Sequence, residues 1–222
     1  MRRILTALVA GAACATGAQA VVVNVDPSGP SWLGFMNVFE LPSNGGGYVF
    51  GSPWGPPDLT AVFNDPGHTL TLGPNTIGDP DPFWYTPSGG PGAMGNKVMQ
   101  ANLYHEVTDT YSGQMVTFQG KVLSNTLAGS HVGMIFIRDF APDYSSSVDI
   151  FIPIVAGNFS LSLNTIAAPG RHVQWGFQVT GPCVWVTDVG QYGTAVIETI
   201  PTPGSLALFA IGGLAAARRR RA

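Results

Sequence analysis

Residues 172–180, HVQWGFQVT, carry the two-residue period of a β-strand: Val173, Trp175, Phe177 and Val179 point one way, His172, Gln174, Gln178 and Thr180 the other, with Gly176 between them. A strand of this kind buries one face in a core and turns a polar face outward. The same alternation spreads outward along the chain. Residues 98–106 set Met99, Ala101 and Leu103 against Gln100, Asn102, Tyr104 and Glu106, and residues 115–122 place Val116, Phe118 and Val122 inward. Twelve strands are predicted, over 21–25, 33–40, 59–63, 69–72, 98–107, 115–123, 132–138, 148–154, 159–163, 172–179, 184–189 and 194–199. No segment between them has an amphipathic helical period. The 29 glycines and 18 prolines fall between the strands as turn signals. Short strands at near-regular spacing specify an all-β sandwich or barrel.

The two ends of the chain differ from this body. Arg2 and Arg3 precede an apolar stretch over 4–15, and Ala18-Gln19-Ala20 forms a small-x-small cleavage site, which together read as a secretory signal peptide over 1–20 with Val21 as the first mature residue. At the other end, residues 201–222 read PTPGSLALFAIGGLAAARRRRA: a proline break, an apolar run over 205–217 and four arginines, Arg218, Arg219, Arg220 and Arg221. The arginines are costly to translocate, so they stay cytoplasmic and leave the body outside. The 13-residue run reaches only about 20 Å as a helix, against a hydrocarbon core of about 30 Å, which suits a transient membrane segment.

This tail is similar to the PEP-CTERM sorting signal of Gram-negative bacteria, with Pro201-Thr202-Pro203 standing where that family has Pro-Glu-Pro. The resemblance implies an exosortase-type membrane transpeptidase as a partner, removal of the tail, and delivery to the cell surface or the extracellular matrix. An ordinary short C-terminal anchor is the alternative, and it too places the body outside the cytoplasm.

Between the signals, residues 21–200 are enough for one β-sandwich domain with its own core. Cys183 is the only cysteine outside the signal peptide, so no internal disulfide is available and the thiol reads as a small core hydrophobe. The body holds four basic side chains, Lys97, Lys121, Arg138 and Arg171, against 13 acidic ones, a formal charge of −9. Such a surface repels nucleic acid phosphates and suits neutral polymers or divalent cations.

Candidate binding residues fall in two groups. Phe83, Trp84 and Tyr85 sit among prolines and glycines, and Trp54 stands in GSPWGPP. Aromatic faces stack on sugar C–H surfaces, so Trp84, Tyr85 and Trp54 are candidate saccharide platforms, with plugging of a sandwich end as the alternative. The amides Gln100, Asn102 and Gln174 on the outward faces, and Tyr144 in the loop DFAPDYSSS, are the candidate polar contacts.

The series NVFEL, ANLYHEV, SGQMVTFQGKVL, VGMIFIRD, HVQWGFQV and VWVTDV resembles the galactose-binding-like jelly roll of many carbohydrate-binding modules, although Thr187-Asp188-Val189 replaces that family's usual Asp-Asn-Val. The resemblance implies a jelly-roll-type antiparallel β-sandwich, a carbohydrate ligand, and a structural Ca²⁺ held between Glu40 and Asp188. Asp79 and Asp81 are a second acidic pair. For each aspartate the alternative is a turn-capping role.

Signs of catalysis are absent from the sequence. Only Glu40, Glu106 and Glu198 are glutamates, with no paired-carboxylate strand motif. The four histidines lack metal-ligand spacing, there is no G-x-S-x-G elbow, and no glycine cluster opens a helix. The expectation is an exported, non-catalytic surface protein that binds neutral polysaccharide. A structural matrix protein without a specific ligand is the alternative, and a glycan-active enzyme a lesser one.

Overall fold

The computed structural model describes residues 20–28 and 31–200. Residues 1–19 and 201–222, which carry nearly all of the expected signal peptide and the whole sorting signal, lie outside the described residues.

The described residues form fourteen strands: β1 (Ala20–Val23), β2 (Leu33–Glu40), β3 (Tyr48–Pro53), β4 (Ala61–Asn64), β5 (Thr69–Leu72), β6 (Tyr85–Thr86), β7 (Met94–Gly95), β8 (Lys97–Thr108), β9 (Met115–Asn125), β10 (Val132–Phe140), β11 (Ser147–Pro153), β12 (Gly157–Asn164), β13 (His172–Pro182) and β14 (Ala195–Glu198). Among the described residues the only helices are short 3-10 turns, and none is long and apolar enough to cross a membrane. One six-stranded sheet has the order β11-β10-β13-β8-β2-β3. The other runs β1-β9-β14-β5-β4, with β12 on the opposite edge of β9 from β1 and β14. From β8 onward the chain crosses between the sheets at every connection except the β10–β11 hairpin, which winds the two layers into a jelly-roll-like sandwich.

The alternation that predicts the fold also builds the core. Val173, Trp175, Phe177 and Val179 of β13 are buried, and they meet Met99, Ala101 and Leu103 of β8 and Val116, Phe118 and Val122 from the facing sheet. Phe118 packs edge-on against both Phe177 and Phe159, at centroid distances of 5.5 and 5.2 Å. Each fully buried side chain of this size contributes about 1.5–3 kcal/mol, which explains how the layers hold together with no disulfide. Cys183 is buried and free, with its Sγ 3.1 Å from the Tyr85 hydroxyl.

Three features depart from the sequence reading. Among the described strands pairing is antiparallel except between β1 and β9, which run parallel, with β1 on the same edge of β9 as the antiparallel β14. Residues 184–189 form no strand. Val184 N–H bonds Asn75 O and Asp188 N–H closes a turn on Trp185 O, while the Trp185 ring seals the loop below it by packing on Tyr85 at 5.3 Å. β3, hidden in a glycine- and proline-rich stretch, does form. Its hairpin with β2 turns through Gly45 and Gly46, both with φ in the left-handed region that glycine adopts without strain.

Candidate functional site

On the outward face of the β11-β10-β13-β8-β2-β3 sheet, strand register lines side chains into rows. Glu106 on β8 stands beside Gln174 on β13, which stands beside Arg138 on β10 and then Asp149 on β11. The next row is Tyr104, Gly176, Phe136 and Phe151, and the one after it Phe35, Asn102, Gln178 and Met134. Gly176 therefore leaves the middle row without a side chain between two aromatics. No larger residue fits, since a Cβ there would lie 2.0 Å from Leu103 O and 2.7 Å from the Tyr104 Cα. The result is a cleft of about 450 Å³ lined by Phe35, Asn37, Asn102, Tyr104, Glu106, Arg138, Phe140, Tyr144 and Gln174.

Arg138 crosses the middle row. Its guanidinium lies over the Phe136 and Phe151 rings, 4.4 and 5.0 Å from their centroids, and its Nη1 donates to Asn102 Oδ1 at 3.0 Å. Asn102 Oδ1 also accepts from Gln178 Nε2 at 2.9 Å, and Asn102 Nδ2 donates to Phe35 O at 3.2 Å, so the floor of the cleft is a satisfied amide network. Burial draws the Arg138 pKa below its ordinary value, partly offset by Asp149, whose carboxylate is 3.9 Å from Nε. An arginine stays charged under such a shift.

Glu106 anchors the other end. It accepts from Gln174 Nε2 at 2.6 Å and from the Tyr144 hydroxyl at 2.9 Å. Tyr144 sits on the β10–β11 turn with φ +57 and stacks on His172 at 4.3 Å, which sets its ring across the mouth of the cleft. Burial, followed by the bond to Glu106, pushes its phenol up to about 12. The Tyr104 phenol is likewise raised, chiefly by burial and then by Glu106. Both remain protonated donors at neutral pH. At the opposite corner Asn37 Nδ2 donates to Gln100 Oε1 at 3.0 Å. Gly51 provides the space: a Cβ there would fall within 2.8 Å of the Tyr48 hydroxyl, Asn37 Oδ1 and the Phe35 ring.

Of the residues expected from sequence, Asn102, Gln174 and Tyr144 thus share one cleft and Gln100 adjoins it. The aromatic platform does not join them. Tyr85 is fully buried, its hydroxyl donating to Ile77 O at 2.6 Å and accepting from Ile77 N–H at 3.1 Å, so its ring closes the sandwich instead of facing a ligand. Trp84 is half-buried, edge-on to Phe50 at 6.1 Å and to Phe83 at 4.8 Å. Trp54 is half-buried as well, with Nε1 donating to Ser52 Oγ at 2.8 Å, and lines a separate hollow with Pro57, Thr76 and Ile77. The sequence reading missed Phe35, Asn37, Arg138 and Phe140 as site residues, and placed Tyr104 and Glu106 only on a polar face. All six occupy outward positions of strands or their extensions, a signal that becomes a site only when strand order is known.

The expected Ca²⁺ pair is engaged by other partners. Glu40 is held by Lys97 Nζ at 3.2 Å, so a cation already neutralises it, and Asp188 accepts from Gly92 N–H at 2.6 Å and from the Thr187 hydroxyl at 2.9 Å. Among the described residues no group of three or more histidine, cysteine, aspartate or glutamate side chains converges as a metal site. Asp79 and Asp81 cap a turn, accepting from the amides of Asp81 and Phe83. Comparison with protein families, curated proteins and solved structures finds no match to this chain.

Proposed function

We propose that this is an exported, non-catalytic protein that binds neutral polysaccharide in the cleft over Gly176, and that an exosortase-type transpeptidase acting on residues 201–222 sorts it to the cell surface or matrix. The observation that carries the binding reading is the composition of the cleft: Phe35, Tyr104, Phe140 and Tyr144 offer aromatic surface around Asn37, Gln174, Glu106 and Arg138. Rings supply apolar contact to sugar C–H faces, while amides, a carboxylate and a guanidinium donate to and accept from hydroxyls. Neutral sugars suit it because Glu106 and the formal −9 of the body oppose polyanions. Binding is favoured over hydrolysis because glycosidases place two carboxyl groups across the bond they cut. Among the described residues Glu106 is the one carboxylate lining this cleft, and both its oxygens are engaged.

The test is isothermal titration of the protein against a panel of soluble neutral polysaccharides. Tyr104→Ala and Tyr144→Ala should each weaken binding about tenfold, the loss of one aromatic contact of roughly 1.4 kcal/mol. Trp84→Ala should leave affinity within about twofold of wild type, well under 1 kcal/mol. Sensitivity to Trp84 alone, or no heat with any neutral polysaccharide, would overturn the assignment.

A further inference from the structure

The outer strands of a sandwich expose unpaired backbone N–H and C=O groups, and proteins usually blunt them with charge, proline or short length. Here β3 and β11 end in Pro53 and Pro153, β11 carries Asp149, and β1 and β4 have four residues each. The exception is β12. It runs eight residues, Gly157–Asn164, pairs only with β9 among the described strands, and contains neither proline nor charge. It is the centre of a 21-residue stretch, 150–170, without a single charged side chain, in a body of formal charge −9. Exposed Val155 and Ile166 flank it.

The order of its side chains identifies the occupant. Residues 158–164 read NFSLSLN, which is nearly the same in both directions about Leu161. In an antiparallel two-fold pairing centred on Leu161, Asn158 meets the second copy's Asn164, Ser160 meets Ser162, Phe159 meets Leu163, and Leu161 meets itself. An isologous contact needs this self-complementarity, with residue i against j and j against i. Ser160 and Ser162 are exposed on the outward face and Phe159 and Leu161 are buried on the inward one, so polar pairs with polar and apolar with apolar across the seam. The rows extend into each body without opposing like charges, because Ser160 stands beside Gln119, Ser162 beside Thr117 and Asn164 beside Met115, while Lys121 beside Asn158 meets the Asn164 and Met115 end of the other copy. Elsewhere the acidic surface repels its own copies. We propose that β12 is a self-pairing edge through which two copies of this chain join their β9-bearing sheets into one continuous sheet.

The test uses the full chain, solubilised in mild detergent, with Cys14→Ser as background and the buried Cys183 retained. Light scattering should show a dimer, and Ser160→Lys with Ser162→Lys, which sets four ammonium groups at the seam, should convert it to monomer without changing the circular dichroism spectrum. Register is read by oxidation. Ser160→Cys with Ser162→Cys should link the copies, since directly opposed strand residues have Cα atoms within disulfide range. Ser160→Cys alone should link poorly, because its neighbour across the two-fold is Ser162. A monomeric native chain, a dimer that persists in the double-lysine variant, or efficient linkage in the single Ser160→Cys variant would each overturn the proposal.

Discussion

Replacing Asp139 by alanine is expected to cost more stability than any single change in the cleft itself. Asp139 is fully buried and accepts three interactions from one neighbouring segment: Arg171 Nε reaches its Oδ1 at 2.9 Å, Ile166 N–H its Oδ2 at 2.7 Å, and Arg171 Nη2 its backbone O at 2.6 Å. Truncation leaves a buried guanidinium without its counter-charge, a loss of about 3–5 kcal/mol. For a domain of this size each kcal/mol moves the melting temperature by about 2–4 °C, so a fall of roughly 6–20 °C is expected. The control is Asp139→Leu with Arg171→Met, which removes both charges and should recover most of the loss. Asp139 directly precedes Phe140 and the turn carrying Tyr144, and Gly170 packs against Pro142 of that turn. Polysaccharide affinity should therefore fall in the single variant and return in the double one. Thermal unfolding followed by near-ultraviolet circular dichroism reads the first effect and titration the second. A single variant melting within about 2 °C of wild type, less than 1 kcal/mol, or a double variant as unstable as the single, would refute the reasoning.

Part of the pH response should come from His131, whose pKa burial lowers, and part from His105. The His105 ring lies in the core between Trp32, at 4.1 Å, and Trp175, at 5.4 Å, and burial holds its pKa below the usual histidine value, with Asp26 opposing part of the shift. The unfolded chain then binds more protons than the folded one below about pH 6.5, so stability is full above that pH and falls as pH drops below it. His105→Phe should reduce this fall in melting temperature and His105→Phe with His131→Phe should reduce it further, and a slope unchanged in the single variant would exclude His105 as a source. The export reading is checked by mass spectrometry of the native protein, which should begin at Val21 and lack Arg218, Arg219, Arg220 and Arg221. An intact C-terminus in surface-exposed protein would contradict it.

The sequence alone determined which way side chains face. The period of two in 98–106, 115–122 and 172–180 is a local property, because successive residues of an extended chain project to opposite sides, and it correctly placed Val173, Trp175, Phe177, Leu103 and Phe118 in the core. Those strands, with the turn residues between them, were enough for a sandwich. Local pattern says nothing of which strand lies beside which. That choice belongs to long-range pairing, and it alone put Phe35, Asn102 and Gln178 in one row and Tyr104, Gly176 and Phe136 in the next, turning a glycine that merely interrupts an alternation into a gap between two aromatics. The same holds for the aromatic loop. Phe83, Trp84 and Tyr85 look alike as neighbours in sequence, but only folding brings the Ile77 backbone to the Tyr85 hydroxyl and leaves the Phe83 ring at the surface under Lys97. Whether an aromatic is a platform or a plug is decided by the partners its polar end finds, and those lie elsewhere in the chain.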